Sequence, residues 1–461
     1  MDEINYASAK TIAQAIRDKE VSAVEVVEAH LQRIDEVNPK LNAVVHLAAD
    51  RALSEAREAD AATARGESKG PLHGVPMTVK DSHDAEGFVS TGGTKGRENF
   101  VPERDATTVA RMRAAGAIVL GKTNTPELTL AFETDNLIYG RTNNPYGLDR
   151  TPGGSSGGAG AIIASGGSPL DLGTDTGGSV RVPAGFCGIA GLKPTSGRVP
   201  RTGHIISHSL GATDALTTVG PMARYVEDLI LVYPIIAGPD GEDPAIVPMP
   251  VDDPANIDLK SLRVAWFTDV GDVTSTAEIA SATQSAADAL TDAGASLTED
   301  MPSAILRATG TSLLTADGGA GVRRILDKAG TTEMHPWVGR FVEGTDPLPV
   351  GEYSALLEEI DAFRSNMLGF MENYDAILLP VRPFPAPPHG KSMTPEFSPG
   401  NTFTSSFNTT GWPGAVVRAG TSPEGLPIGV QFIARPWHED VSLALAAVVE
   451  SALGGWQMPS I

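Results

Sequence analysis

The chain has 461 residues, with 35 basic and 57 acidic side chains and a formal net charge of −22. That excess of negative charge repels nucleic acid phosphates and anionic lipid headgroups, so neither nucleic acid nor membrane is expected as a partner. The single cysteine, Cys187 in GFCGIAGL, excludes an intrachain disulfide and a cysteine-rich metal site, fits a reducing compartment, and reads as a small core residue.

The N-terminus, MDEINYASAK, shows no apolar secretory stretch, and the apolar run LILVYPII at 229–236 holds Pro234 and is too short for a bilayer. A cytoplasmic protein is expected. Ser22 and Glu25 form a capping box, and Val24, Val27, Leu31 and Ile34 recur at helical spacing until Asn38-Pro39, which should end the helix. An alanine-rich helix is expected from about Val45 to Ala62. From Gly74 onward short apolar runs punctuated by glycine and proline read as buried strands: VPMTV, AIVL, SLRVAWF, DAILLP, GAVVRAG and PIGVQFIA. Helical patterns at Ala277–Ala293 and Asp440–Leu453 lie among them. The order predicts an α/β fold with a mixed central sheet covered by helices on both faces. The Pro- and Asp-rich stretch 239–254 is a candidate linker or boundary of an insert.

Three motifs invite competing chemistries. GAIVLGKT, Gly116 to Thr123, satisfies the phosphate-loop pattern, yet its variable residues are themselves an apolar strand preceded by a helical pattern, so a strand ending in a turn is preferred to a nucleotide site. PGGSSGGAG, Pro152 to Gly160, contains G-x-S-x-G around Ser155, but the polar NNPYGLDRTP before it is no buried strand, as a nucleophile elbow would need. His73, His204 and His208 lie near glycine-rich segments without forming an evident triad, and read as surface or hydrogen-bonded core residues. With no H-E-x-x-H and no second cysteine, neither a metal nor another cofactor is expected.

The motifs that remain resemble the amidase signature family. PLHGVP with the Lys80-Asp81 pair, GKTNTPE, PGGSSGG, TDTGGSVR, FCGIAGLKPT and GLPIGVQFIA occur in that family's order. The resemblance implies one amidase-signature domain over 1–461, with N-terminal helices at 1–69 and a variable substrate-side region at 239–400. It implies that Ser179 is the nucleophile, Ser155 the bridging serine and Lys80 the base. It makes Ser156 a supporting serine and gives Thr129, Leu130 and Ala131 a place facing the acyl pocket. Asp175 and Arg181 are expected to brace the nucleophile loop.

The chemistry also reads from the residues. In VPMTVK alternation puts Val75, Met77 and Val79 on one strand face and Thr78 and Lys80 on the other. Burial there disfavours an ammonium and suits Lys80 to accept a proton. Gly177 and Gly178 permit a tight turn that aims the N–H groups of Thr176, Gly177, Gly178 and Ser179 at a developing oxyanion. The expected protein is a hydrolase of small-molecule amides, with esters and carbamates as further substrates, acting as a monomer or homodimer. The family's other branch, the amidase-type subunit of a glutamine-dependent tRNA amidotransferase, would instead work in a complex.

Overall fold

The computed structural model describes residues 4–211, 216–308 and 310–461. A three-stranded sheet contains β1 (Val44–Leu47), β2 (Pro76–Lys80) and β3 (Ile118–Thr123) in the order β1-β3-β2, with β2 parallel and β1 antiparallel to β3. An eight-stranded sheet contains β4 (Leu170–Asp175), β5 (Ala190–Lys193), β6 (Thr218–Ala223), β7 (Arg263–Trp266), β8 (Ser296–Glu299), β9 (Ala376–Pro380), β10 (Gly414–Thr421) and β11 (Pro427–Ala434). Its order is β4-β6-β5-β10-β11-β9-β7-β8. Pairing is antiparallel from β4 to β9 and parallel among β9, β7 and β8. The sheet is mixed, as expected, but the strand that carries Lys80 belongs to the smaller one.

Side-chain alternation along the strands divides the core into two layers. On β10, Ala415, Val417 and Ala419 pack with residues of helices Ala277–Asp292 and Glu439–Leu453, whereas Val416 packs with residues of helix Arg181–Phe186. On β9, Ala376 and Leu378 join the first layer. Ile377 and Leu379 turn the other way, toward Phe363 and Met367 of helix Val350–Met371 and Phe403 and Phe407 of helix Thr402–Thr410. Helices thus cover both faces of an α/β sheet.

Two local expectations are corrected. The helix opened by the Ser22/Glu25 capping box runs Ala23–Leu41 with Pro39 inside it. Pro39 lies in the last turn, where its ring removes a single helical bond, and the actual end is set by Asn42 in the left-handed region at φ 49°. The Asn38 side chain accepts from the N–H groups of Ala43 and Val44, both at 2.8 Å, and turns the chain into β1. Residues 44–47 are therefore strand, paired with β3, and the alanine-rich helix starts later, at Ala49–Ala64. Here tertiary pairing outweighs the helical pattern, with β-branched Val44 and Val45 suiting the pleat.

The stretch 239–253 has no regular secondary structure. It is tied down by an Arg201–Asp243 ion pair at 3.0 Å and by Val247 N–H donating to the Gly197 carbonyl at 2.9 Å. Among the described residues no helix is long and apolar enough to cross a membrane.

Candidate active site

Lys80, Ser155 and Ser179 each lie at or near the end of a strand or helix. Lys80 is the last residue of β2, Ser155 lies just before helix Gly157–Ala164, and Ser179 sits between the end of β4 and helix Arg181–Phe186. All three side chains are buried. Lys80 Nζ donates to Ser155 Oγ at 2.7 Å, Thr174 Oγ1 at 2.8 Å and Ser156 Oγ at 2.9 Å. Ser156 N–H donates to the Ser179 carbonyl at 3.2 Å, which joins the two serine loops through the backbone. The described residues show no hydrogen bond between the Ser155 and Ser179 hydroxyls. Catalytic hydrogen bonds are often long before substrate arrives.

Close packing requires the glycines here. A Cβ on Gly154 would lie 2.5 Å from the Glu133 carbonyl oxygen, and one on Gly158 would lie 2.4 Å from the Asn124 nitrogen. A side chain at either position would push the Ser155 loop off Lys80.

Burial drives the Lys80 amine from its ordinary 10.5 down to about 7, against the opposing pull of Asp171 and Asp175. Asp171, on β4, links the two sheets. Its carboxylate accepts from Lys80 N–H at 2.9 Å, from the Thr78 hydroxyl at 2.6 Å and from the Thr123 hydroxyl at 3.0 Å. Burial raises its pKa to about 6, and these hydrogen bonds limit the rise. One carboxylate thus holds β2 and β3 of the small sheet against β4 of the large one.

On the Ser179 side, Asp175 and Arg181 form a buried ion pair at 3.0 Å. Asp175 also accepts from the N–H groups of Gly178 at 2.8 Å and Val180 at 3.1 Å, so its carboxylate staples the loop around Ser179. Burial alone pushes the Asp175 carboxyl up, but the Arg181 guanidinium more than offsets it and holds the group well below the usual carboxylate range. Arg181 reaches further, to Gln431 Oε1 at 3.0 Å, Asn408 Oδ1 at 2.6 Å and the Thr404 carbonyl at 3.0 Å. Gly178 has φ +136°, and a Cβ there would meet Thr404 Oγ1 at 2.4 Å.

This loop corrects one expectation. Gly178 N–H is committed to Asp175, because the carboxylate that closes the turn lies directly over it. Among the described residues, the N–H groups of Thr176, Gly177 and Ser179 donate to no protein acceptor.

Thr129, Leu130 and Ala131 are buried, and Leu128 and Leu130 pack with Ile205, Val322 and Ile325. Leu128 and Thr129 adopt left-handed φ of 52° and 61°, a strain with no sign in the residue pattern. The Thr129 hydroxyl is buried without a protein partner among the described residues. The phosphate-loop match dissolves: its variable residues lie mainly in β3, and Lys122 is buried, donating to the His83 carbonyl and to Ser90 Oγ. His73 contacts the Ala59 carbonyl and His204 the Ile206 carbonyl, so both are anchored to backbone. Cys187 is buried in a core cluster. Among the described residues no group of His, Cys, Asp or Glu is gathered as metal ligands. A cavity of about 640 Å³ opens beside Arg97, His204, His208 and Lys328, and neither Lys80, Ser155 nor Ser179 lines it.

Sequence reasoning missed Thr174, Asp171, Thr404, Asn408 and Gln431. Asp171 and Gln431 carried a usable signal, since a polar side chain inside an apolar strand (LDL, VQF) is buried and must be satisfied. Thr404 and Asn408 come from a distant helix and carried none.

The chain is similar to known proteins along nearly its whole length. The family model Amidase matches residues 25–443. The chain is 35% identical to a subunit of the Glutamyl-tRNA(Gln) amidotransferase of Carboxydothermus hydrogenoformans, covering 97% of both chains. It is 36% identical to the Indoleacetamide hydrolase of Bradyrhizobium diazoefficiens, covering 97% of this chain and 86% of that one. A 6-aminohexanoate cyclic dimer hydrolase solved with its substrate superimposes with a TM-score of 0.90 at 29% identity, over 99% of each chain. The fold, the ordered motifs and these matches together place the chain in the amidase signature family, among enzymes that act on carbon–nitrogen bonds.

Proposed function

We propose that the protein is a serine amidase that cleaves small-molecule amides through an acyl-enzyme on Ser179, with Ser155 and Lys80 moving protons. The observation that carries this reading is the buried Lys80 amine bonded to Ser155 at 2.7 Å. An ammonium has three donors, and three hydroxyl oxygens surround Nζ. A neutral amine has two donors and one lone pair, so one hydroxyl must turn and donate to it. Ser156 has the Thr174 carbonyl as an acceptor at 3.5 Å, which leaves the Ser155 and Thr174 hydroxyls as donors; of these two, Ser155 lies on the loop joined to Ser179 through the Ser156 N–H.

The steps then balance. Ser179 Oγ attacks the amide carbonyl as its proton passes to Ser155, whose own proton passes to Lys80. The carbonyl oxygen becomes an oxyanion facing the N–H groups of Thr176, Gly177 and Ser179, a contribution of about 3 kcal/mol for each good donor. Lys80 returns a proton through Ser155 to the amide nitrogen, the C–N bond breaks, and the amine leaves. Water repeats the sequence and frees Ser179. Asp175 and Arg181 hold the loop's shape, and Ser156 holds the turn. Esters and carbamates suit the same machinery, since only the leaving group differs. A fluorophosphonate should label Ser179, and Ser179→Ala should lose labelling and turnover while staying folded; labelling at Ser155 would overturn the assignment.

The near-complete mutual coverage with the amidotransferase chain favours a second reading, in which the same chemistry releases ammonia from glutamine inside a complex. Purification from the native host separates the two. Copurifying partners and activity confined to glutamine support the second, and turnover of simple amides by the isolated chain supports the first.

A further inference from the structure

The buried arginines differ in what neutralises them. Arg181 faces Asp175, Arg198 faces Glu439, and Arg224 donates to the carbonyls of Ala7, Ile163 and Ser168. Arg382, at 4% exposure, has one protein hydrogen bond among the described residues, from Nη1 to Asn401 Oδ1 at 2.5 Å. Among those residues no carboxylate pairs with it. Burying a guanidinium with one neutral acceptor costs several kcal/mol by general expectation, so such a group calls for a missing partner. Burial lowers its pKa to about 9, so it remains a cation at neutral pH.

Its place points to what that partner is. The guanidinium stacks over the Phe132 ring, 4.6 Å from its centroid, and the Phe132 edge lies 3.2 Å from where a Cβ on Gly177 would sit. A second path runs through Asn401 and Thr404: the Thr404 hydroxyl lies 3.3 Å from the Asn401 carbonyl and donates its proton to the Gly177 carbonyl at 2.6 Å. Arg382 is therefore separated from the Thr176–Ser179 loop by Phe132 on one side and by Asn401 and Thr404 on the other. Phe132, Val182, Arg382 and Asn401 line a void of about 10 Å³, room for one water-sized group. Beyond the bond to Asn401, the N–H donors of Arg382 have no protein acceptor among the described residues.

We propose that Arg382 is a specificity residue that binds a carboxylate carried by the substrate, so that the preferred amides are acidic ones. The inference rests on the amidase reading and names the substrate class of that site. A carboxylate oxygen takes the water-sized space, pairs with the guanidinium fork, and orients the scissile carbonyl toward Ser179. The carboxylate could stand on the acyl or on the amine side of the scissile bond.

The test compares matched substrates. On the acyl side, glutaric acid monoamide is set against pentanamide; on the amine side, N-butyryl-β-alanine is set against N-propylbutyramide. Wild type should favour the acid on one of the two sides by about tenfold or more in kcat/KM, as expected for a charge-assisted pair. Arg382→Gln should bring that ratio close to one, mainly through KM, and Arg382→Lys, which keeps charge but not the fork, should fall between. A wild-type ratio near one on both sides would overturn the proposal, as would a ratio that survives Arg382→Gln; the wild-type result decides even if that variant does not fold. Calorimetry separates this from failure of the amidase reading. Ser179→Ala should bind glutarate or N-butyryl-β-alanine, and adding Arg382→Gln should abolish binding. Binding that persists, or that is absent in Ser179→Ala itself, counts against the proposal whether or not amides turn over.

Discussion

Lys80, bonded to Ser155, and Arg181, two residues after Ser179, are both fully buried basic side chains, yet their surroundings differ. Arg181 meets a carboxylate, two side-chain amides and a carbonyl. Lys80 meets three hydroxyls at its amine and no carboxylate in contact among the described residues, and burial brings it to about 7. Burial sets the penalty on a charge, and the partner decides how much of that penalty is offset. Arg181 is given a counter-charge, and Lys80 is given neutral oxygens.

The harshest way to break the comparison is to remove the chemistry from one region. Ser179→Ala and Lys80→Ala should each lower amide kcat/KM by about three powers of ten or more, measured by steady-state kinetics. Lys80→Ala should in addition spare esters. An alkoxide leaves without full protonation, whereas an amine needs a proton delivered to nitrogen, so the amide should lose about one to three further powers of ten relative to an ester of the same acyl group. Equal losses on both substrates would remove Lys80 from the relay.

Breaking the other region should act on the fold. Arg181→Met leaves Asp175 buried without its counter-charge and should cost about 3–5 kcal/mol of stability, read from the denaturant midpoint. Amide and ester activities should fall together, since the loop loses its shape and no proton step is touched.

Acidity sharpens the contrast with smaller effects. Only neutral Lys80 accepts a proton, and its pKa is lowered to about 7, so kcat/KM should rise as pH passes through about 7 and level off above it. A profile flat well into acid would contradict a lysine base. Asp171 opposes the downward shift of Lys80, so Asp171→Asn should move the rising limb to lower pH. The mildest effect is expected for Ser156→Ala, which removes one of three oxygens around the amine and should lower activity about tenfold or less.

Much of this region was legible in the sequence for a local reason. Strand alternation put Thr78 and Lys80 on one face, the Ser22/Glu25 capping box marked a helix start, and glycine pairs marked where backbone must pass closely. These are properties of neighbouring residues, and neighbouring residues are what a sequence displays. The residues that complete the site come from far along the chain. Thr404, Asn408 and Gln431 reach the Asp175–Arg181 pair from a helix and a strand more than 200 residues away.

Helical patterning around Val45 misled because it could not register the pairing of Val44 with Thr123. Glycines at 177 and 178 looked alike in sequence, yet the N–H of Gly178 is taken by Asp175. The sequence by itself determined the α/β class, the ordered motifs and the family, because these rest on local periodicity and short-range spacing. Tertiary structure alone decided that Lys80 sits on a separate small sheet joined to the large one through Asp171, and that Arg382 lies buried over Phe132, next to Gly177, without a counter-charge among the described residues. Protonation, strain and electrostatic pairing depend on atoms brought within a few ångströms by folding, and the order of residues along a chain does not contain those distances.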